Sequence, residues 1–176
     1  MRQSKKVAFC SLIAALSCAI LVVTRVFATA SYACSALAGL LSITVVLEFG
    51  YKWALAEFAV SAIMAAIFSS PDAAITYILL FGYYPVLKGL IESRIRRRPI
   101  QWGIKMVYFN AVMVLCYILT VAIVGPIDDT GFLGAYGLPM LALVCNIAYV
   151  IYDIGTSRII AGYNYKLRGR VHKLLK

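Results

Sequence analysis

Tyr77, Tyr83, Tyr84, Tyr117 and Asn146 are polar or aromatic side chains set in apolar surroundings, the kind of residue that could hold a ligand. Thr76, Thr120 and Asn110 accompany them. Aromatic faces mixed with hydroxyls and amides suit a small organic molecule. The same groups also serve as glue between helices, because an amide placed in lipid must find a partner. A second set is ionisable: Glu57, Lys88, Glu92, Lys105, Asp153 and Arg158. A charge in hydrocarbon is costly, so each of these must snorkel, pair or face a polar cavity. Lys88 and Glu92 have the i,i+4 spacing of an ion pair on one helix face. Glu57 lies about 7 Å along a helix from Lys52, and Asp153 lies one to two turns from Arg158. Structural pairing is the simplest use of all six. Contact with a partner, or a proton path, is the other use open to Glu57 and Asp153.

Other chemistries are poorly provided for. The chain has no HExxH, no GxSxG, no Walker sequence and no Cys-His pair, so an enzyme is not expected. Its five cysteines (Cys10, Cys18, Cys34, Cys116, Cys145) make no CxxC pair, and the one histidine, His172, is remote from them. They read as small packing residues rather than a metal site or disulfide framework. Asp128 and Asp129 are adjacent but lack the further oxygen ligands of a metal site. No cofactor and no metal are expected. Any pumping would need an ATPase partner or ion coupling.

These residues must be positioned by elements that the composition restricts severely. The 176 residues are 63% hydrophobic with a mean hydropathy of +0.89. A globular core of this size cannot hide so much apolar surface, so lipid must be the solvent for much of it. Six apolar stretches result, at residues 7–27, 33–49, 53–68, 73–91, 101–124 and 138–161, in one integral membrane domain without an internal repeat. Pro85 is expected to kink the fourth, and Ser70 or Asp72 to cap its start.

Lys and Arg gather before the first stretch, between the fourth and fifth (Arg94, Arg96, Arg97, Arg98), and in the tail at 162–176; the alternate connections carry Asp72, Asp128 and Asp129, with Arg25 the only base. Basic flanks remain cytoplasmic, so a six-helix all-α bundle of the cell membrane with both termini cytoplasmic is expected. The net charge of +10 suits the anionic inner leaflet, at about 1 kcal/mol per nearby base, and not nucleic acid. Ala28-Thr29-Ala30 resembles a signal-peptidase site. The apolar run before it is long and Arg25 intrudes, so an uncleaved first helix is expected. In the tail, Tyr163, Leu167, Val171 and Leu174 recur at helical spacing against basic residues. A short helix on the inner leaflet or a solvated tail would both fit.

Small residues mark where helices meet in lipid. Ser11, Ala15 and Ala19 recur every fourth position in the first stretch, with Ala8 and Ala14 beside them; Ser35 and Gly39 do so in the second, and Ser61 and Ala65 in the third. Such stripes serve packing within a bundle, or docking of a separate membrane subunit in the case of the first.

Six helices in under two hundred residues, cytoplasmic termini and the AxxxA of Ala15-Leu16-Ser17-Cys18-Ala19 resemble the S components of energy-coupling factor (ECF) transporters. The topology covers nearly the whole chain and the motif five residues. The resemblance implies a subunit that captures a vitamin or other small nutrient and joins a membrane T component and two ATPases. The ligand would lie in the outer half among helices four to six, and docking would use Ser11, Ala15 and Ala19. Toppling of the subunit would deliver the ligand inward. Two other functions fit the same spans: a non-transport membrane scaffold of the cell envelope, and a small ion-coupled transporter acting through Glu57 or Asp153.

Overall fold

Two glycines and three prolines set most of the helix boundaries. A computed structural model describes residues 3–27, 30–125, 137–163 and 165. The helices are α1 (Gln3–Val22, prolonged by a 3-10 turn Val23–Arg25), α2 (Ser31–Phe49), α3 (Tyr51–Phe68), α4 (Pro71–Thr76), a π-helical turn (Tyr77–Phe81), α5 (Tyr84–Arg94), α6 (Arg98–Val124) and α7 (Gly137–Gly162). Gly50 (φ +84°) alone separates α2 from α3, and Gly125 (φ +109°) follows α6. Both adopt backbone conformations that cost other residues a Cβ clash. Pro71, Pro85 and Pro99 occupy the first turns of α4, α5 and α6, where a missing N–H removes no helical bond.

Six helical stretches are long and apolar enough to cross a membrane: Gln3–Arg25, Ser31–Phe49, Tyr51–Phe68, Pro71–Arg94, Arg98–Ile123 and Pro139–Gly162. They coincide with the six expected spans and extend a few residues past most of them, because backbone hydrogen bonding continues beyond the apolar run. The connection with Asp128 and Asp129, the Ala28-Thr29 pair, and the tail positions Leu167, Val171 and Leu174 lie outside the described residues.

Successive spans, rather than successive helices, reverse direction, as the contacts at the two ends show. At one end, called here the basic end, Lys6 lies over the Trp53 ring, Phe9 meets Phe49 edge-on, and Tyr163 donates a hydrogen bond to Glu48. At the other end, Arg25 donates to the carbonyls of Ile67 (3.0 Å) and Ser69 (3.3 Å). The last carbonyls of α3 lack helical partners, and a cation there also complements the helix dipole. This is the use of the one base expected on that side. The expected side-chain cap by Ser70 or Asp72 is not made. The Ser70 backbone N–H and hydroxyl instead donate to the Thr24 hydroxyl (3.2 and 3.1 Å), bolting the α3–α4 turn to the end of α1.

The interior is lined by small and hydroxyl-bearing residues. α1 buries Cys10, Ala14 and Ser17; α2 buries Ser31, Ser35, Ala38 and Ser42; α3 buries Ala54, Glu57, Ser61 and Ala65. Large apolar side chains such as Leu12, Leu16, Val60, Ile63, Val107, Ile118 and Leu143 face outward. A water-soluble bundle reverses that distribution; this one matches a multi-pass membrane protein, whose helices approach through small residues.

The fourth span is broken where Pro85 was expected to kink it, and a π turn precedes the break. The Gly82 N–H reaches back to the Tyr77 carbonyl (2.7 Å), and regular helix resumes at Tyr84. Pro85 has no N–H to offer the Phe81 carbonyl. Backbone irregularity at this depth is tolerated when protein surrounds it. Here α2 covers it so closely that a Cβ on Gly39 would stand 2.4 Å from the Phe81 oxygen.

Candidate functional site

Just past the break, the broken span presents Tyr84 and, one turn further, Lys88 to α6 and α7. Lys88 is 0% exposed, and Lys105 of α6 and Asp153 of α7 are each 3% exposed. Lys88 Nζ donates to an Asp153 carboxylate oxygen, to the Asp153 carbonyl (2.9 Å) and to the Ser157 hydroxyl (2.7 Å), which occupies all three of its protons. Lys105 Nζ donates to Glu92 Oε1 (2.7 Å) and lies 3.1 and 3.3 Å from the two Asp153 oxygens. The Tyr84 hydroxyl donates to Asp153 Oδ1 at 2.5 Å, and the Tyr149 hydroxyl stands 3.1 Å behind it. The expected Lys88–Glu92 pair is present at 3.5 Å.

Two cations and two anions thus cancel, and α5, α6 and α7 meet at Asp153. Phe109 stacks on Tyr149 at 4.2 Å and closes the cluster on its apolar side. Buried charges of this kind persist only when paired and hydrogen-bonded. Arg158, the sequence neighbour of Asp153, is exposed and contributes nothing to the cluster. Chemically, the group is a charge-compensated clamp with Glu92 at its more exposed edge.

Of the residues expected to hold a ligand, Tyr84 is thus committed to the clamp. Tyr77 is fully buried against α3, its hydroxyl 2.7 Å from that of Ser61. Tyr83 hydrogen-bonds Tyr108 through their hydroxyls and packs edge-on to Phe58 at 5.6 Å. Asn146 and Asn110 exchange reciprocal amide hydrogen bonds (3.0 and 3.1 Å) between α7 and α6, and each also donates to the carbonyl four residues earlier on its own helix. Tyr117 is half-buried on α6. Among the described residues, no hydrogen bond or ring contact joins two of these five side chains directly. Asn146→Leu should leave the Asn110 amide without its partner. A loss of about 0.6–1.7 kcal/mol is expected, read by denaturant unfolding in detergent, with much of it regained in the Asn110→Leu/Asn146→Leu double variant.

Among the described residues, no Lys or Arg pairs with Glu57. It is buried, and Ser42 donates to its Oε2 at 2.7 Å, while Lys52 forms no pair with it. The expectation of a structural ion pair therefore fails at Glu57: its side of α3 turns into the α1–α2 packing, away from the basic end. Among the described residues there is no group of three or more His, Cys, Asp or Glu side chains arranged to hold a metal ion.

The three small-residue stripes separate into two kinds. Ser35 and Gly39 on α2, and Ser61 and Ala65 on α3, are buried in the bundle. On α1, the buried face is Cys10, Ile13, Ala14, Ser17 and Leu21, and the stripe Ser11, Ala15, Ala19 is exposed on the other side, with Ala8 exposed beside it. Compared with protein-family models, curated proteins and solved structures, the chain has no match.

Proposed function

We propose that this chain is the substrate-capture subunit of an ECF-type ATP-driven importer, taking up a vitamin or another small micronutrient across the cell membrane. The observation that carries the reading is the direction of the α1 stripe. A helix with Ala and Ser at every fourth position invites close backbone approach. The stripes on α2 and α3 meet that need inside the bundle, while Ser11, Ala15 and Ala19 face outward. A smooth, exposed helix face flanked by Leu12 and Leu16 suits another transmembrane helix. In this reading the partner is the T component, which couples the subunit to two ATPases. Both termini are cytoplasmic, in keeping with the bases at that end of the bundle.

Ligand capture falls to the end opposite the bases, where α6 and α7 bury few of their residues and Tyr117 and Asn146 stand half-buried. Tyr83, and Tyr77 behind it, would form the floor.

Ala15→Trp combined with Ala19→Trp tests the docking face. Recovery of the T component and ATPases with tagged protein should fall by more than about tenfold, since bulky groups in a small-residue seam remove the close approach. Expression and thermal stability of the subunit itself should be unchanged, because both side chains point outward. Val60→Trp, on an outward face of α3 (54% exposed), serves as the control and should leave recovery intact. Full recovery with both tryptophans in place would refute the docking role. Native mass spectrometry of the gently purified complex would show a retained small metabolite together with its subunits.

A further inference from the structure

We propose that Glu57, Ser42, Ser61 and Tyr77 form a buried binding site for a small monovalent cation, with sodium as its probe. The site is independent of the α1 docking face. Glu57 is 2% exposed, and Ser42, Ser61 and Tyr77 are 1%, 0% and 0% exposed. Its Oε1 is buried with no hydrogen-bond partner, and among the described residues no Lys or Arg pairs with it. An isolated carboxylate removed from water is very unfavourable unless its charge is compensated.

The surrounding hydroxyls can hydrogen-bond the carboxylate but are neutral, so they cannot cancel its charge. Ser42 donates to Glu57 Oε2 (2.7 Å), Ser61 donates to the Phe58 carbonyl (3.0 Å), and the Ser61 and Tyr77 hydroxyls share a hydrogen bond (2.7 Å). What these groups still offer is lone pairs. An unpartnered carboxylate oxygen among hydroxyl oxygens is a ligand set for a hard cation. One carboxylate balances one positive charge, so a monovalent ion leaves the site neutral, whereas a divalent ion leaves it charged.

The ligands come from α2, α3 and the π turn, so occupancy would tie the central broken span to the α2–α3 hairpin. Irregular backbone in a membrane helix is a recurrent neighbour of such ion sites. The titratable groups around Glu57 are Cys10 from α1 and Tyr77 from the π turn; α2 contributes only the Ser42 hydroxyl to its hydrogen bonding. Leu21, Ala38 and Ala65 pack on Tyr77 beside the site.

The test is thermal unfolding of the full chain in detergent or nanodiscs, with sodium chloride exchanged for choline chloride at fixed ionic strength. Wild-type Tm should rise with sodium and follow its logarithm above half-saturation. Glu57→Gln, which removes the charge and keeps the shape, should fold and show a flat response. Ser61→Ala should move half-saturation at least about tenfold higher, the weight of one interaction with a charged group. A wild-type Tm identical in sodium and choline would overturn the site. So would a sodium response retained in Glu57→Gln. Stabilisation by lowered pH alone, with no sodium response, would assign the position to a bound proton instead.

Discussion

Asp153→Asn should be the most damaging single substitution in this bundle. It removes one of the two anions while leaving Lys88 and Lys105 buried, so an uncompensated positive charge remains among α5, α6 and α7. Breaking a buried pair by deleting one partner costs about 3–5 kcal/mol, a large fraction of the roughly 5–15 kcal/mol that typically holds a domain together. The asparagine also loses the carboxylate that accepts from Tyr84 and from both lysines. Denaturant unfolding of purified protein should show the loss, together with reduced yield from membranes. The companion variant decides its cause. Lys88→Met/Asp153→Asn retains the Lys105–Glu92 pair at 2.7 Å and restores neutrality, so it should recover most of the stability. If the double variant is no better than the single one, shape rather than charge holds the three helices.

Gly39→Val should rank second. A Cβ at this position would come within 2.4 Å of the Phe81 carbonyl oxygen and 2.9 Å of its carbon. Both are backbone atoms of the π turn and cannot swing aside as a side-chain tip can. Overpacking of this kind costs about 1–3 kcal/mol, and a β-branched side chain belongs at the upper end. Moving α2 away would also disturb the Ser35 hydroxyl bond to the Ala73 carbonyl (3.0 Å). Gly103→Ala and Gly155→Ala provide the contrast, since nothing lies within 4 Å of a Cβ at either helical position. Both should be neutral or gain up to about 1 kcal/mol through helix propensity. A Gly39 variant as stable as these two would mean that the α2–π turn approach is not needed.

Much of the architecture was legible in one dimension. Apolar run length placed six helices, and Pro85 marked the break in the fourth span. The i,i+4 spacing of Lys88 and Glu92 announced their pair. These features depend on residues close in the chain, where helical geometry turns spacing directly into distance. The cap at Ser70 was misread because its hydroxyl had a competitor 46 residues away in Thr24. Propensity describes only the local option.

Residue types and spacing alone therefore determined a six-helix apolar bundle with its bases at alternate connections, and they identified the polar side chains that such a bundle must accommodate. The tertiary structure alone decided which of those side chains meet. It brought Asp153 to two lysines on other helices, left Glu57 facing hydroxyls with no Lys or Arg paired to it among the described residues, and turned one small-residue stripe outward while burying the other two. The reason is rotation: a helix's sequence specifies the angles between its faces, but which face turns inward follows from packing against neighbours distant in the chain.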